Sequence, residues 1–416
     1  MTTTQPTAST VSAALAEPTV AVRGRWVTLL ALANLAVWMG FFTPIQVLLP
    51  EQLQAIAPHD KEAMLGWVTG LGALAAVIAN PVAGALSDRT ASRFGRRHPW
   101  TLGGGLLGAA GLVLLAEQHT VVGVALAWIG VQICFNAMLA SLTAAVPDRV
   151  PVAQRGAVSG WIGMPQVLGV VLGTLLVTVF VTGIRSGYIA VAIAVIVLTL
   201  PFPLSTADDR LARPDRPRWQ PRSFWVSPRR YPDFAWAFST RFLVGLGNAL
   251  GTLYLLYFLT DKVKLADPGT GLLILILIYT AGLMATTVLA GRRSDRTGRR
   301  RSFVVASGVV MALAAVMLAV APTWPVVMAA AAVLGGGYGI YLAVDAALIT
   351  QVLPTATGRA KDLGIINIAN SAPQVLAPAL AGPIVAHLGG YPVLYAATAV
   401  VTLLGGVLIY RVRSVR

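Results

Sequence analysis

The sequence predicts an all-α integral membrane protein with twelve transmembrane helices arranged as two pseudo-symmetric six-helix halves. Hydrophobic residues make up 56% of the 416 positions and charged residues only 11%, with a mean hydropathy of +0.74, outside the usual range of water-soluble domains. Twelve continuous apolar stretches of 17 to 27 residues run along the chain, each close to the roughly 20 residues that cross a bilayer core. They are continuous rather than alternating, which excludes a β-barrel. Finally, two landmarks recur at one offset: the tetrapeptide SDRT at Ser87 and Ser294, 207 positions apart, and PQVLG/PQVLA at Pro165 and Pro373, 208 apart. Two landmarks agreeing to one residue indicate a tandem duplication.

Taken in order, residues 1–22 are rich in Thr, Ala and Ser with one acid, and read as a disordered tail. Arg23 and Arg25 lead directly into a full-length span, so no cleavable signal is expected. Spans are expected at 26–50, 64–87, 100–116, 121–146, 156–181 and 188–205, forming a first half over 23–205. A linker follows at 206–233. The second half, 234–416, carries spans at 234–259, 271–290, 303–321, 326–352, 363–386 and 392–410. The single cysteine, Cys134, lies in an apolar run and excludes any disulfide within the chain.

Lys and Arg sort by loop. The tail, the loops after even-numbered spans and the C-terminus hold 26 of the 31, against 4 in the opposite loops, which places both termini in the cytoplasm of a multi-pass cell-membrane protein. The net charge of +15 is thereby a topology signal, and nucleic acid is not an expected partner. The linker holds seven arginines interleaved with Trp219, Phe224, Trp225 and Tyr231. Two readings fit it: a segment lying on the anionic leaflet, or a solvated connector with ordinary positive-inside bias. Its prolines argue against one continuous helix.

The duplicated stretches are GALSDRTASRFGRRHPW from Gly84 and GRRSDRTGRRRSF from Gly291. The second fits the G-x-x-x-D-R-x-G-R-R loop of the major facilitator superfamily through Gly291, Asp295, Arg296, Gly298, Arg299 and Arg300, so the chain resembles that family of secondary transporters. The first copy, with Gly84, Asp88, Arg89, Arg93, Gly95, Arg96 and Arg97, is longer by four residues, a form that resembles sucrose/proton symporters and glycoside carriers. Charges so placed can form a charge-assisted cluster at the helix ends. The resemblance implies a latch that closes the cytoplasmic side between the halves; the alternative is simple anchoring of the helices. Asp148 and Arg149 occupy the next cytoplasmic turn and are candidates for the same network.

Within the spans, Asp345 is the only acid well inside and Arg241 the only base, each about 10 Å deep by helical rise. Tyr338, Tyr341 and Asp345 share one face of span ten, as do Arg241 and Asn248 on span seven, Asn34 and Trp38 on span one, and Gln132 and Asn136 on span four. The resemblance implies that these four spans line a central cavity. The polar set is therefore the candidate substrate site, although each single amide also suits a structural interhelical hydrogen bond. Asp345 and Arg241 are either a proton-coupling pair or a fastening between spans seven and ten. The glycines at 335–337 and 339 serve either close packing or bending.

No Walker loop, Cys/His metal cluster or Ser/His/Asp set is present, so no cofactor, metal or enzymatic reaction is expected. The expected function is secondary transport of a small polar organic solute, sugar or glycoside-like, coupled to protons, by a monomer in the lipid bilayer. The competing reading is proton-driven efflux of a drug or secondary metabolite.

Overall fold

The computed structural model describes residues 18–211, 229–352 and 359–413. The expected tail therefore lies almost wholly outside the described residues, as does the middle of the expected linker, including Trp219, Phe224 and Trp225. Twelve long helices run through the described chain. They are α1 (Gly24–Ile56), α2 (Lys61–Asp88), α3 (His98–Ala116), α4 (Val121–Arg149), α5 (Val152–Leu175, continued by a wider turn over Leu176–Phe180) and α6 (Ile184–Ser205). After the linker come α7 (Pro232–Leu253, resuming as Leu255–Val263), α8 (Pro268–Thr297), α9 (Arg300–Val320), α10 (Trp324–Val352), α11 (Arg359–His387) and α12 (Gly390–Leu408).

Ten of these are individually long and apolar enough to cross a membrane, and the two segments of α7 qualify together. In α11 the segment Leu376–His387 is apolar among the described residues, and the sequence before it carries Leu363, Ile365, Ile366 and Ile368. The first turn of that helix instead carries Arg359, Lys361 and Asp362. Several helices outrun their expected spans because a helix needs no new partners to continue from hydrocarbon into water. α8, at 30 residues, is about 45 Å long, so it carries the SDRT tetrapeptide out as its own last turn. Gly298 then ends it in a left-handed conformation (φ 65°), its N–H donating to the Ser294 carbonyl. At the other end Asp267 caps α8 by accepting from the Thr270 N–H at 3.0 Å. By the same extension Glu51, Glu62 and Asp261 fall within helix, each nearer a helix end than Asp345 is.

Span seven departs from expectation. Instead of running straight, it bends by 42° at Tyr254, where the backbone leaves helical geometry (φ −101°, ψ 14°).

Packing follows the duplication. In the first half α1 packs on α4, α5 and α6, α3 on α4 and α6, and α2 on α4; in the second half α7, α9 and α8 repeat each contact six helices later. Between the halves α2 lies along α11 and α5 touches α8, a pair of contacts that the same two-fold exchanges. Small residues set the spacing, as expected where lipid supplies no hydrophobic drive between helices. A side chain begun at Gly84 would sit 3.9 Å from the Ala140 Cβ, and one begun at the equivalent Gly291 would sit 3.9 Å from the Ala343 Cβ. The glycines of α10 serve close packing: Gly335 lies against the Tyr279 carbonyl of α8, Gly337 against Met311 of α9, and α10 itself is unbroken.

Large apolar side chains such as Leu107, Leu126, Ile193, Leu289 and Val320 point outward as an exposed belt, while the buried interior is filled by Leu30, Phe135, Trp128, Tyr188 and Tyr395.

Because a Cβ at position 335 would overlap the Tyr279 carbonyl, Gly335→Ala should force α8 and α10 apart, an overpacking cost of about 1–3 kcal/mol. Thermal unfolding in detergent should fall by several degrees. An unchanged transition would mean that this helix pair yields freely.

Candidate functional site

At the arginine-rich end of the first half, the loop between α2 and α3 folds back on the helices that flank it. The Arg97 guanidinium sits between two carboxylates, Asp88 at 2.5 Å and Asp148 at 2.7 Å, and donates to the Ser87 hydroxyl at 2.7 Å. Arg96 reaches the same Asp148 oxygen at 2.7 Å. One carboxylate thus holds two buried guanidinium groups and ties α3 to α4. Burial works against the Arg97 charge, but Asp148 and Asp88 outweigh it and hold the group above the ordinary arginine value.

The four extra residues allow this arrangement: they let the chain turn at Gly95 (φ 94°) and return Arg96 and Arg97 to the membrane end. Asp208, from the start of the linker, accepts from the backbone N–H groups of Arg97 (2.5 Å) and His98 (2.8 Å) at the start of α3. Arg149 grips both oxygens of Asp209 at 2.9 Å. Asp148 and Arg149 therefore do join the cluster, and the linker is sewn to it. Arg93 stacks on Phe94, and Arg89 caps the end of α2.

The second copy is arranged differently. Arg296, Gly298 and Arg299 are exposed, and Arg300 opens α9. The side chain of Asp295 lies outside the described residues. The Ser294 hydroxyl is buried without a partner among the described residues, whereas its counterpart Ser87 accepts from Arg97. The ion pairs around Asp88 and Asp148 all lie inside the first half.

Deep in the second half the expected residues converge. Arg241 on α7 meets Asp345 on α10 at 3.0 Å, with side chains only 12% and 9% exposed. The other Asp345 oxygen accepts from the Tyr341 hydroxyl at 2.6 Å. Tyr341 stacks on Tyr338 with centroids 6.1 Å apart. Nearby, Asn248 accepts from the Tyr279 hydroxyl of α8 at 2.9 Å. The result is a charged pair flanked by three phenols and an amide, on α7, α8 and α10.

The first half is less gathered. The Asn136 amide donates to the Gln132 carbonyl groups of backbone (2.9 Å) and side chain (3.2 Å), and Asn80 of α2 reaches Asn136 at 3.4 Å. Asn34 spends its N–H on the Leu30 carbonyl of its own helix, and Trp38 stacks on Phe42 at 5.5 Å. Asn80 and Tyr279 were not anticipated, because they lie on α2 and α8 and stand alone rather than in a polar pair at helical spacing.

Two bundles of six helices related by a two-fold, with an ion pair buried between spanning helices, define a multi-pass membrane transporter rather than an enzyme. The description "Major Facilitator Superfamily" matches residues 27–263 and again 237–416. The chain belongs to that superfamily. It is 31% identical over 158 residues to a general alpha-glucoside permease of Schizosaccharomyces pombe, a match covering 33% of this chain and 27% of the permease. Among solved structures it resembles the nucleoside transporter NupG (TM-score 0.70, 14% identity, 94% of this chain and 98% of that one). It also resembles the peptide transporter POT in complex with sulfate (TM-score 0.71, 13% identity, 95% and 96%). At such identities the structures establish a shared fold.

The cluster orders two neutralising substitutions. Asp148→Asn strips an acceptor from two buried guanidinium groups, whereas Asp88→Asn removes a carboxylate that is 49% exposed. Asp148→Asn should therefore lower the melting temperature in detergent more than Asp88→Asn does. Equal shifts would place the weight of the staple on Asp88.

Proposed function

We propose that this chain is a secondary active transporter that moves a sugar or glycoside-like solute across the cell membrane by alternating access, coupled to protons at Asp345. Both termini are cytoplasmic in this reading, and the halves at 23–205 and 234–416 rock about their shared two-fold. The observation that carries it is the Arg241–Asp345 pair, a largely buried charge couple held among the phenols of Tyr341 and Tyr338. A carboxylate in hydrocarbon is costly unless paired, and an acid about 10 Å inside its span supports reading this position as functional. Phenols and amides suit stacking on a pyranose and hydrogen bonding to its hydroxyls. The expanded RFGRR loop and the likeness to an alpha-glucoside permease support the same solute class.

The test is reconstitution into proteoliposomes, with labelled maltose and a panel of glycosides, under an imposed pH gradient. Accumulation that follows the gradient is expected for the wild type. Asp345→Asn should abolish accumulation and retain counterflow exchange. Under a purely fastening role, the single mutant instead loses stability, because breaking a buried pair costs about 3–5 kcal/mol, and a double neutral replacement restores it. Gradient-driven accumulation in Asp345→Asn/Arg241→Gln would therefore sink the coupling role.

Recognition has a separate readout. Asn136→Ala and Tyr341→Ala should each weaken solute affinity about 5- to 10-fold by calorimetry, the loss of one hydrogen bond, while membrane insertion is unaffected. Affinity unchanged in both would move the binding site elsewhere.

A further inference from the structure

Hydrogen bonds that cross between the halves occur, among the described residues, at the end opposite the arginine-rich loops. There, at the start of α2, the Lys61 ammonium meets the Asp261 carboxylate at 2.7 Å. Asp261 belongs to the outer segment of α7, beyond the bend at Tyr254. Its second oxygen accepts from the Tyr391 hydroxyl of α12 at 2.9 Å, and the ammonium also lies 4.9 Å over the Tyr257 ring. Two more phenols cross the divide: Tyr254 donates to the Glu62 carbonyl and Tyr257 to the Pro50 carbonyl, each at 2.8 Å.

The backbones close up at the same level. A Cβ at Gly66 would stand 2.8 Å from the Pro378 carbonyl, 3.0 Å from the Tyr254 hydroxyl and 3.1 Å from the Gly382 Cα, so the backbones of α2 and α11 meet closely beside that phenol. At the arginine-rich end the ion pairs among the described residues lie within the first half.

We infer that the molecule is closed at this outer end, and that Lys61 and Asp261 form the bolt that must part before solute can enter from that side. The inference rests on the alternating-access reading above. The chemistry suits a bolt. Lys61 is 11% and Asp261 28% exposed, so the pair is shielded enough to be strong and near enough to water to be released. A single carboxylate gathers a cation from one half and a phenol from a third helix, so parting the halves breaks the charge pair and leaves Tyr391–Asp261 intact within the second half. The backbone contact at Gly66 supplies the stop and the ion pair the hold.

The test reads the opening itself and needs no solute. In a Cys134→Ser background, spin labels on cysteines replacing the exposed His59 and Leu388 report the separation of the halves at the outer end by double electron–electron resonance in nanodiscs. Wild type should give mainly a short distance. Lys61→Gln and Asp261→Asn should each raise the ratio of long to short distances about tenfold, the loss of one charge-assisted bond. Lys61→Arg, which keeps the charge, should stay short.

Gly66→Leu, which props the backbones apart, should also shift to long distances whatever the ion pair does. A long shift in Gly66→Leu with no shift in the neutral variants would overturn the bolt and assign closure to helix packing alone. No shift in any variant would overturn it as well. Opening by the neutral variants in a protein that accumulates no glycoside would uphold the bolt and reject the solute assignment instead.

Discussion

Hydrocarbon offers no hydrogen-bond partner, and that constraint governs the whole molecule. Backbone N–H and C=O groups in the spans have to be satisfied within the protein, so the described spans are helical, with the break at Tyr254 in α7 as the departure. Charges are driven to the two ends, where 26 of the 31 cations gather on one side. With no hydrophobic force between helices, packing falls to small residues, and Gly66 and Gly335 each mark a close approach between helices. A charge left inside has to bring its counterion, and Asp345 with Arg241 obeys that rule at 3.0 Å.

The same constraint explains what could be read from the sequence. Hydropathy and period locate the spans, the repeat gives the two-fold, and equal depth along two helices puts Arg241 level with Asp345. Lys61 and Asp261 looked like ordinary loop charges because nothing local distinguishes them; they meet only through the docking of α2 against the outer part of α7. Tyr279 and Asn80 escaped for the same reason. The bend at Tyr254 lies inside an apolar run with no proline, so no residue in the run announces it, and the phenol that marks it is held by a carbonyl 192 positions away.

The repeat shares its SDRT tetrapeptide and is unequal in bonding. In the first half the longer loop returns Arg97 to Ser87, Asp88 and Asp148. In the second, the shorter loop leaves the buried Ser294 hydroxyl without a partner among the described residues, and an unsatisfied hydroxyl of this kind costs about 1–3 kcal/mol. Duplication thus supplied two similar helix ends, and four added residues made one of them a staple. Asp208 and Asp209 then fasten the linker to the stapled half, so the connector moves with the first half at that point.

A rigid rocking of two halves would not by itself disturb Arg241–Asp345, since α7 and α10 pack together within the second half. Coupling the pair to access therefore needs an element that belongs to one half and is gripped by the other. The outer segment of α7 is such an element. It begins beyond the 42° bend and is held to the first half through Tyr257 and Asp261, with Tyr254 gripping at the bend itself. Parting the outer end would remove those three holds together and leave the segment to realign with the body of α7, which carries Asn248 and Arg241 about one and a half to two and about three and a half turns below the bend. In the proposed cycle the bend at Tyr254 is the joint through which a change at the outer end would reach the helix bearing Arg241, because it is where the outer segment meets the body of α7.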